Sequence, residues 1–233
     1  SGEDYIWPTE HYLLLHVQIL NGDSSHLAVG DATAPVNNFI QSLWNDLQVT
    51  MNGTVVTPKE ENYAYKSYLE KLLSFGDCAM ESQGEASLFI KDTAGSMDHF
   101  TNNAGAVARS RYIAESKTFE VLCPLNIDLF QGGKVLPNGL DVCIKLVRNK
   151  PEFSLMIPDA NGRKIAMPKA ELVIIKPKVS TATALAHAAA FQNNVAVYPV
   201  RRTEVKTAVI ETGVKSKTLT NICTGQLPRR VFI

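Results

Sequence analysis

The sequence has few of the features that announce chemistry. Its four cysteines, Cys78, Cys123, Cys143 and Cys223, are widely separated, with no CxxC and no metal-ligand spacing. They read as free thiols, which suits a protein made in a reducing compartment. Lys+Arg and Asp+Glu both number 23, so the net charge is zero. The global basic surplus of a nucleic-acid binder is therefore missing. No GxGxxG or phosphate-cradling loop occurs, nor the GxSxG elbow of a serine hydrolase. No apolar run approaches the roughly 20 residues of a membrane-spanning helix, and no secretory leader opens the chain. The abrupt start at Ser1-Gly2-Glu3 reads as a cut from something longer.

What is present is strand pattern. In Ala34–Thr57, Leu47, Val49 and Met51 alternate with Gln48, Thr50 and Asn52. A period of two puts one set in a core and the other outside. Asn52-Gly53 predicts a type I′ hairpin turn into Val55 and Val56, because both central residues must take positive φ. The same Asn52-Gly53-Thr54 is formally a glycosylation sequon, and the turn explains it better. In Tyr12–Leu20 the residues Leu13, Leu15, Val17 and Ile19 point one way, predicting a long strand with one buried face. Further strands are predicted at 119–125, 127–135, 140–146 and 153–157, with turns at Pro137-Asn138-Gly139 and Asp159-Ala160-Asn161-Gly162 between them. Ala170–Lys176 reads as a strand buried on both faces. Short strands joined by Gly, Asn and Pro turns, without regular βα alternation, predict an all-β antiparallel sandwich.

Helices are sparse in this reading. Thr57, Pro58 and Glu60 compose a capping box, with Asn62 as a competing start. Tyr65, Tyr68, Leu69, Leu72 and Leu73 then repeat at i, i+3, i+4, i+7 and i+8, the stripe of an amphipathic helix, and Gly76 sits where a C-terminal cap belongs. Core packing is the expected role for the stripe, as a lid on a sheet or on the end of the sandwich. Composition shifts at Pro177. Thr181–Phe191 is alanine-rich and predicts a second helix. Beyond it, 197–201, 203–211 and 217–221 read as the strands of a new sheet.

Candidate chemistry is thin. Residues 81–111 form the least patterned stretch, and a loop of that length tends to be functional or variable. Asp92, Asp98 and His99 lie in it without a third ligand or a nucleophile at a telling spacing, so a solvated loop is preferred. His11, His16, His26, His99 and His187 are the only imidazoles. His11 and His16 differ by five along one strand and face opposite sides, a poor metal pair. His187 reads as a packed or exposed polar residue. Arg201-Arg202 and Arg229-Arg230 are isolated basic pairs of the kind that is usually solvated. No catalytic, cofactor-binding or metal-binding residue is assigned.

Several stretches carry a family resemblance, in order and over almost the whole chain. They are DYIWPTEHYLLLHVQI, APVNNFIQSLWNDLQVTMNGTVVTP, YAYKSYLEKLLSFG and LFIKDTAGSMD in the first half. FEVLCPLNIDLFQGGKVLPNGLDVCIKLVR follows, then LAHAAAF, VYPVRRTEVKT and GQLPRRVFI. Together they resemble the double jelly-roll, hexon-like major capsid proteins of Polinton/Maverick-type elements and adintovirus-like viruses. Trp7 departs from that pattern, which would place a small acidic residue there.

The resemblance implies a first jelly roll over 1–176, a connector with the alanine-rich helix over 177–196, and from 197 to 233 the opening of a second jelly roll that is cut off. It also implies a homotrimer with lateral jelly-roll contacts, tiling an icosahedral shell around double-stranded DNA. A minor capsid (penton) protein would be its partner and the virion its location, after synthesis in the host cytoplasm. It implies no cofactor, no small-molecule substrate, no sequence-specific nucleic-acid binding and no membrane span. The alternative is a jelly-roll carbohydrate- or ligand-binding module using the 81–111 loop. An enzyme of cupin type stands behind both.

Overall fold

The computed structural model describes residues 4–57, 62–158, 162–220, 222–223 and 227–232. The expected capping box at 57–60 and the expected turn at 159–162 fall partly outside these residues. Asn221, the last residue of the expected 217–221 strand, and Ile233, the last of the chain, are also outside.

The fold is built on β1 (Trp7–Asn21), the middle strand of its sheet. Leu13, Leu15, Val17 and Ile19 all face the core, as their period of two requires. The short strand β2 (Ala34–Pro35) and the one-turn helix α1 (Phe39–Ser42) follow, with every residue buried. They lead into β3 (Trp44–Met51) and β4 (Thr54–Val55), joined by the two-residue turn. Asn52 at φ 46° and Gly53 at φ 78° have the positive dihedrals of the expected I′ geometry. Asn52 Oδ1 also accepts a hydrogen bond from the Asp141 backbone N–H at 3.0 Å.

Helices fill the middle of the chain: α2 (Tyr63–Ser74), α3 (Asp77–Ser82) and α4 (Ala104–Ile113). Then come β5 (Phe119–Cys123), β6 (Val142–Arg148), the one-turn α5 (Pro151–Ser154), β7 (Leu155–Met156), β8 (Arg163–Ile175) and α6 (Thr181–Phe191). All pairings are antiparallel, in three sheets ordered β5-β1-β8, β4-β3-β6 and β2-β7. The inner faces of the two larger sheets share one core, in which Leu15, Val17, Val49 and Val121 meet and Ile144 and Leu146 pack from β6. This is an antiparallel β sandwich with short helices between its strands.

Several expectations are corrected. Residues 127–135 are not a strand, because Asp128–Gly132 forms a 3-10 helix ended by Gly133 at φ 67°. The 153–157 strand shrinks to β7, since Pro151 at the first helical position starts α5 just before it. Gly76 is not a left-handed cap. Its φ is −79° and it precedes α3. The apolar run 170–176 is not buried on both faces. It lies in β8, an edge strand paired only with β1, and its side chains from Lys169 to Val173 are exposed. Among the described residues after α6 no strand is paired. The segment is extended, but a strand needs a partner for its backbone groups, and the alternating apolar residues have no sheet to join.

Candidate assembly surfaces and the polar seam beneath them

Helix α2 has the predicted stripe and turns it the wrong way. Tyr65, Leu69, Leu72 and Leu73 are between 44% and 58% exposed, and Phe75 extends the row. The face turned inward instead carries Tyr63, Ala64, Lys66 and Ser67. The core-packing expectation is therefore overturned for Tyr65, Leu69, Leu72 and Leu73, while Tyr68, the fifth of the stripe, is half-buried with its ring 5.9 Å from that of Phe89.

Polar pairs explain the inversion. The Tyr63 hydroxyl donates to Gln41 Oε1 at 2.5 Å and accepts from the Asn126 backbone N–H at 3.0 Å. Gln41 Nε2 donates onward to the Pro124 carbonyl at 2.7 Å. Lys66 Nζ meets Asp128 Oδ1 at 2.9 Å, with both side chains almost fully enclosed. Asn38 Nδ2 reaches Ser67 Oγ at 3.4 Å, and Lys71 Nζ donates to Ser87 Oγ at 2.5 Å while lying 4.7 Å over the Phe89 ring. Each of these groups would be costly to bury alone. Together they form a seam joining α1, α2, the chain after β5 and residue 87. Burial lowers the Lys71 pKa and raises that of Glu70, which Lys66 pulls back down. Cys123 sits at the edge of the seam, fully buried, with its thiol pushed up to about 12 by burial. It is a packed thiol without nucleophile character. The other three cysteines are exposed, and none is in a disulfide.

A second exposed apolar patch lies on the outer face of the β5-β1-β8 sheet. Tyr12 opposes Val173, Leu14 opposes Leu122, and Trp7 opposes Ile175 across the ladders. Directly opposed residues share a face, so these side chains form one surface. Trp7, Tyr12, Leu122, Val173 and Ile175 are all exposed. Contiguous apolar surface of this kind marks contact sites.

The 81–111 stretch is better ordered than its composition suggested. Asn103 is wholly buried and caps α4, its Oδ1 accepting from Gly105 N and Ala106 N while also taking Thr93 N at 3.1 Å. Its Nδ2 donates to Asp92 Oδ1 at 2.8 Å. Arg109, also wholly buried, donates to the carbonyls of Pro35 and Ile90 and to Asp92 Oδ1 at 2.7 Å. Gly105 lets α4 approach the chain closely, since a Cβ there would stand 2.5 Å from the Lys91 carbonyl oxygen. Asp92 is thus a structural anchor. Sequence reasoning missed Asn103 and Arg109. The signal was there, an asparagine before an alanine-containing run with a basic last turn.

Asp98 lines a shallow cleft of about 310 Å³ with Asn37, Asp92, Met97, Arg109 and Met156, while His99 points to solvent. No aromatic residue lines that cleft among the described residues. His11 is buried and pinned between the Pro8 carbonyl and the Leu125 N–H. His16 lies 3.3 Å from Glu120, His187 hydrogen-bonds Tyr5, and His26 is exposed. Among the described residues, no three His, Cys, Asp or Glu side chains converge to hold a metal. Both Arg pairs are exposed. Among the described residues, no helix is long and apolar enough to cross a membrane.

No family model matches the chain. An uncharacterized protein of Caenorhabditis elegans is similar to it, 23% identical over 206 residues that cover 86% of this chain and 47% of that protein. The chain thus spans about half the length of the curated relative it matches.

Proposed function

We propose that this chain is part of a structural capsid protein of the Polinton/Maverick and adintovirus-like kind. In this reading residues 1–176 are the first jelly roll, 177–196 the connector and 197–233 the start of the second. The protein forms homotrimers through lateral contacts, and the trimers, with a minor (penton) protein, tile an icosahedral shell around double-stranded DNA in the virion. The role is non-catalytic. The observation that carries the proposal is the inverted helix: α2 turns Tyr65, Leu69, Leu72 and Leu73 to solvent and seals its polar face inside. An assembly subunit needs apolar lateral patches on a rigid body, and here the patch stands on a helix locked from beneath. The whole-chain resemblance and the sandwich architecture support the same reading. The carbohydrate-binding alternative has less behind it, since the cleft beside the 81–111 stretch has no aromatic platform for a sugar ring.

Size-exclusion chromatography with light scattering on the longer protein tests this. A trimer is expected, and Leu69→Lys with Leu72→Lys should return monomers whose unfolding midpoint is unchanged. A strictly monomeric wild-type protein at high concentration overturns the proposal.

A further inference from the structure

The buried contact between Lys66 and Asp128 has the parts of a condensation site. Lys66 Nζ lies 2.9 Å from Asp128 Oδ1, and the two side chains are only 3% and 8% exposed. The other carboxylate oxygen, Oδ2, accepts the Thr203 backbone N–H at 3.1 Å. Glu70 lies one turn beyond Lys66 on the same helix and accepts from Asn126 Nδ2 at 3.1 Å. Tyr63 on α2 and Ile127, Leu129 and Phe130 beside Asp128 in the chain are all buried. Lys71, Cys123 and His11 are the other titratable groups buried in this half of the core.

We propose that Lys66 and Asp128 join spontaneously in an intramolecular isopeptide bond between α2 and the 3-10 helix at 128–132. A buried ammonium–carboxylate pair is costly to keep charged, and a proton moving from Nζ to the carboxylate leaves a neutral amine against a neutral acid. The Nζ lone pair attacks Cγ. Oδ2 takes up the developing charge, facing the Thr203 N–H as an oxyanion faces its donor. The Cγ–Oδ1 bond then breaks. One amine hydrogen stays on the new amide nitrogen, and the other leaves with Oδ1 and its proton as water. Nothing is oxidised or reduced. The proton passes directly from Nζ to Oδ1, the two atoms already in contact at 2.9 Å. Fixed contact of the two reactants supplies the effective concentration that amines and acids lack in water. This inference stands apart from the capsid reading, since an internal crosslink can form in a subunit of any function.

The intact mass of the purified chain, measured under denaturing conditions, decides it. The expected mass is lower than that of the sequence by one water, and digestion should yield a branched peptide linking position 66 to position 128. Lys66→Arg keeps the charge and cannot form the amide, so it should show the full mass. Asp128→Ala removes the acyl carbon and should likewise show the full mass its sequence gives. Full mass in the wild-type chain, or water loss that persists in Lys66→Arg or Asp128→Ala, overturns the proposal.

Discussion

Strand β1 and helix α2 both show regular apolar periodicity, and they bury opposite kinds of face. In β1 the apolar set Leu13, Leu15, Val17 and Ile19 is inside. In α2 the apolar set is outside, and Lys66, Ser67 and Tyr63 are inside. The difference comes from what each element covers. β1 runs between two strands, paired with β8 along most of its length and with β5 over Leu13–Val17, and there the side chains remain to be matched across the core. α2 lies over α1 and the chain beyond β5, where Gln41, the Asn126 N–H and Asp128 need partners. Leaving those groups unpaired under an apolar stripe would cost more than exposing four large side chains in an isolated chain. Periodicity identifies a face. It does not say which way the face turns.

The contrast can be broken or sharpened by substitution, and the effects should descend in a definite order. Leu15→Ala empties a fully buried site in β1 and should cost about 4 kcal/mol. Urea unfolding monitored by tryptophan fluorescence would read it, and a cost near zero would show that the sandwich core lies elsewhere. Lys66→Ala removes the buried tie of α2 to Asp128, whether ion pair or amide, leaves the carboxylate in the interior, and should cost at least about 3 kcal/mol in the same assay. Asn103→Ala removes the α4 cap together with three contacts to the 92–97 segment, and should cost about 2 kcal/mol, the upper end for a cap. Limited proteolysis should show faster cleavage between 91 and 103. Leu72→Lys, on the outward face of α2, should change the stability of the isolated chain by no more than about 0.5 kcal/mol. A large loss there would mean the stripe is covered within the subunit.

Acid sharpens the comparison from the side of β1. Burial holds His11 below the ordinary histidine value of 6.5, against the opposing effect of its backbone hydrogen bonds. The folded chain then binds fewer protons than the unfolded one below that value, so stability from this group falls as pH drops through about 6.5 toward its folded pKa. Glu70 acts in the other sense. Its pKa is raised above the ordinary 4.5 by burial, so its contribution is full below 4.5 and is lost as pH rises through its folded pKa. His11→Asn should flatten the acid-side slope of unfolding free energy between roughly pH 5 and 7, and Glu70→Gln should steepen it. An unchanged slope in His11→Asn would locate the acid sensitivity in other groups.

Much of the frame was legible because its signals are local. The core face of β1 and the alternation of β3 follow from a period of two. The Asn52-Gly53 turn follows from positive φ, and α6 from an alanine-rich run. Other features were hidden because they depend on distant partners. Asn103 and Arg109 order the 81–111 stretch only through Asp92, Pro35 and Ile90. Val205 and Thr203 reach Asn62 and Asp128 without joining a sheet. Leu172 and Val173 belong to a strand with an open edge, and composition could not say that one neighbour is missing.

The amino-acid order by itself settled which residues alternate in β1 and β3, the turn at Asn52-Gly53, and the existence of α2 and α6. Each of those follows from backbone sterics and side-chain spacing within a few residues. The tertiary structure alone decided that Lys66 meets Asp128, that α2 turns its apolar stripe to solvent, and that β8 is left open along one side. Those outcomes depend on pairing polar groups and edges from different parts of the chain, and no local periodicity carries that information.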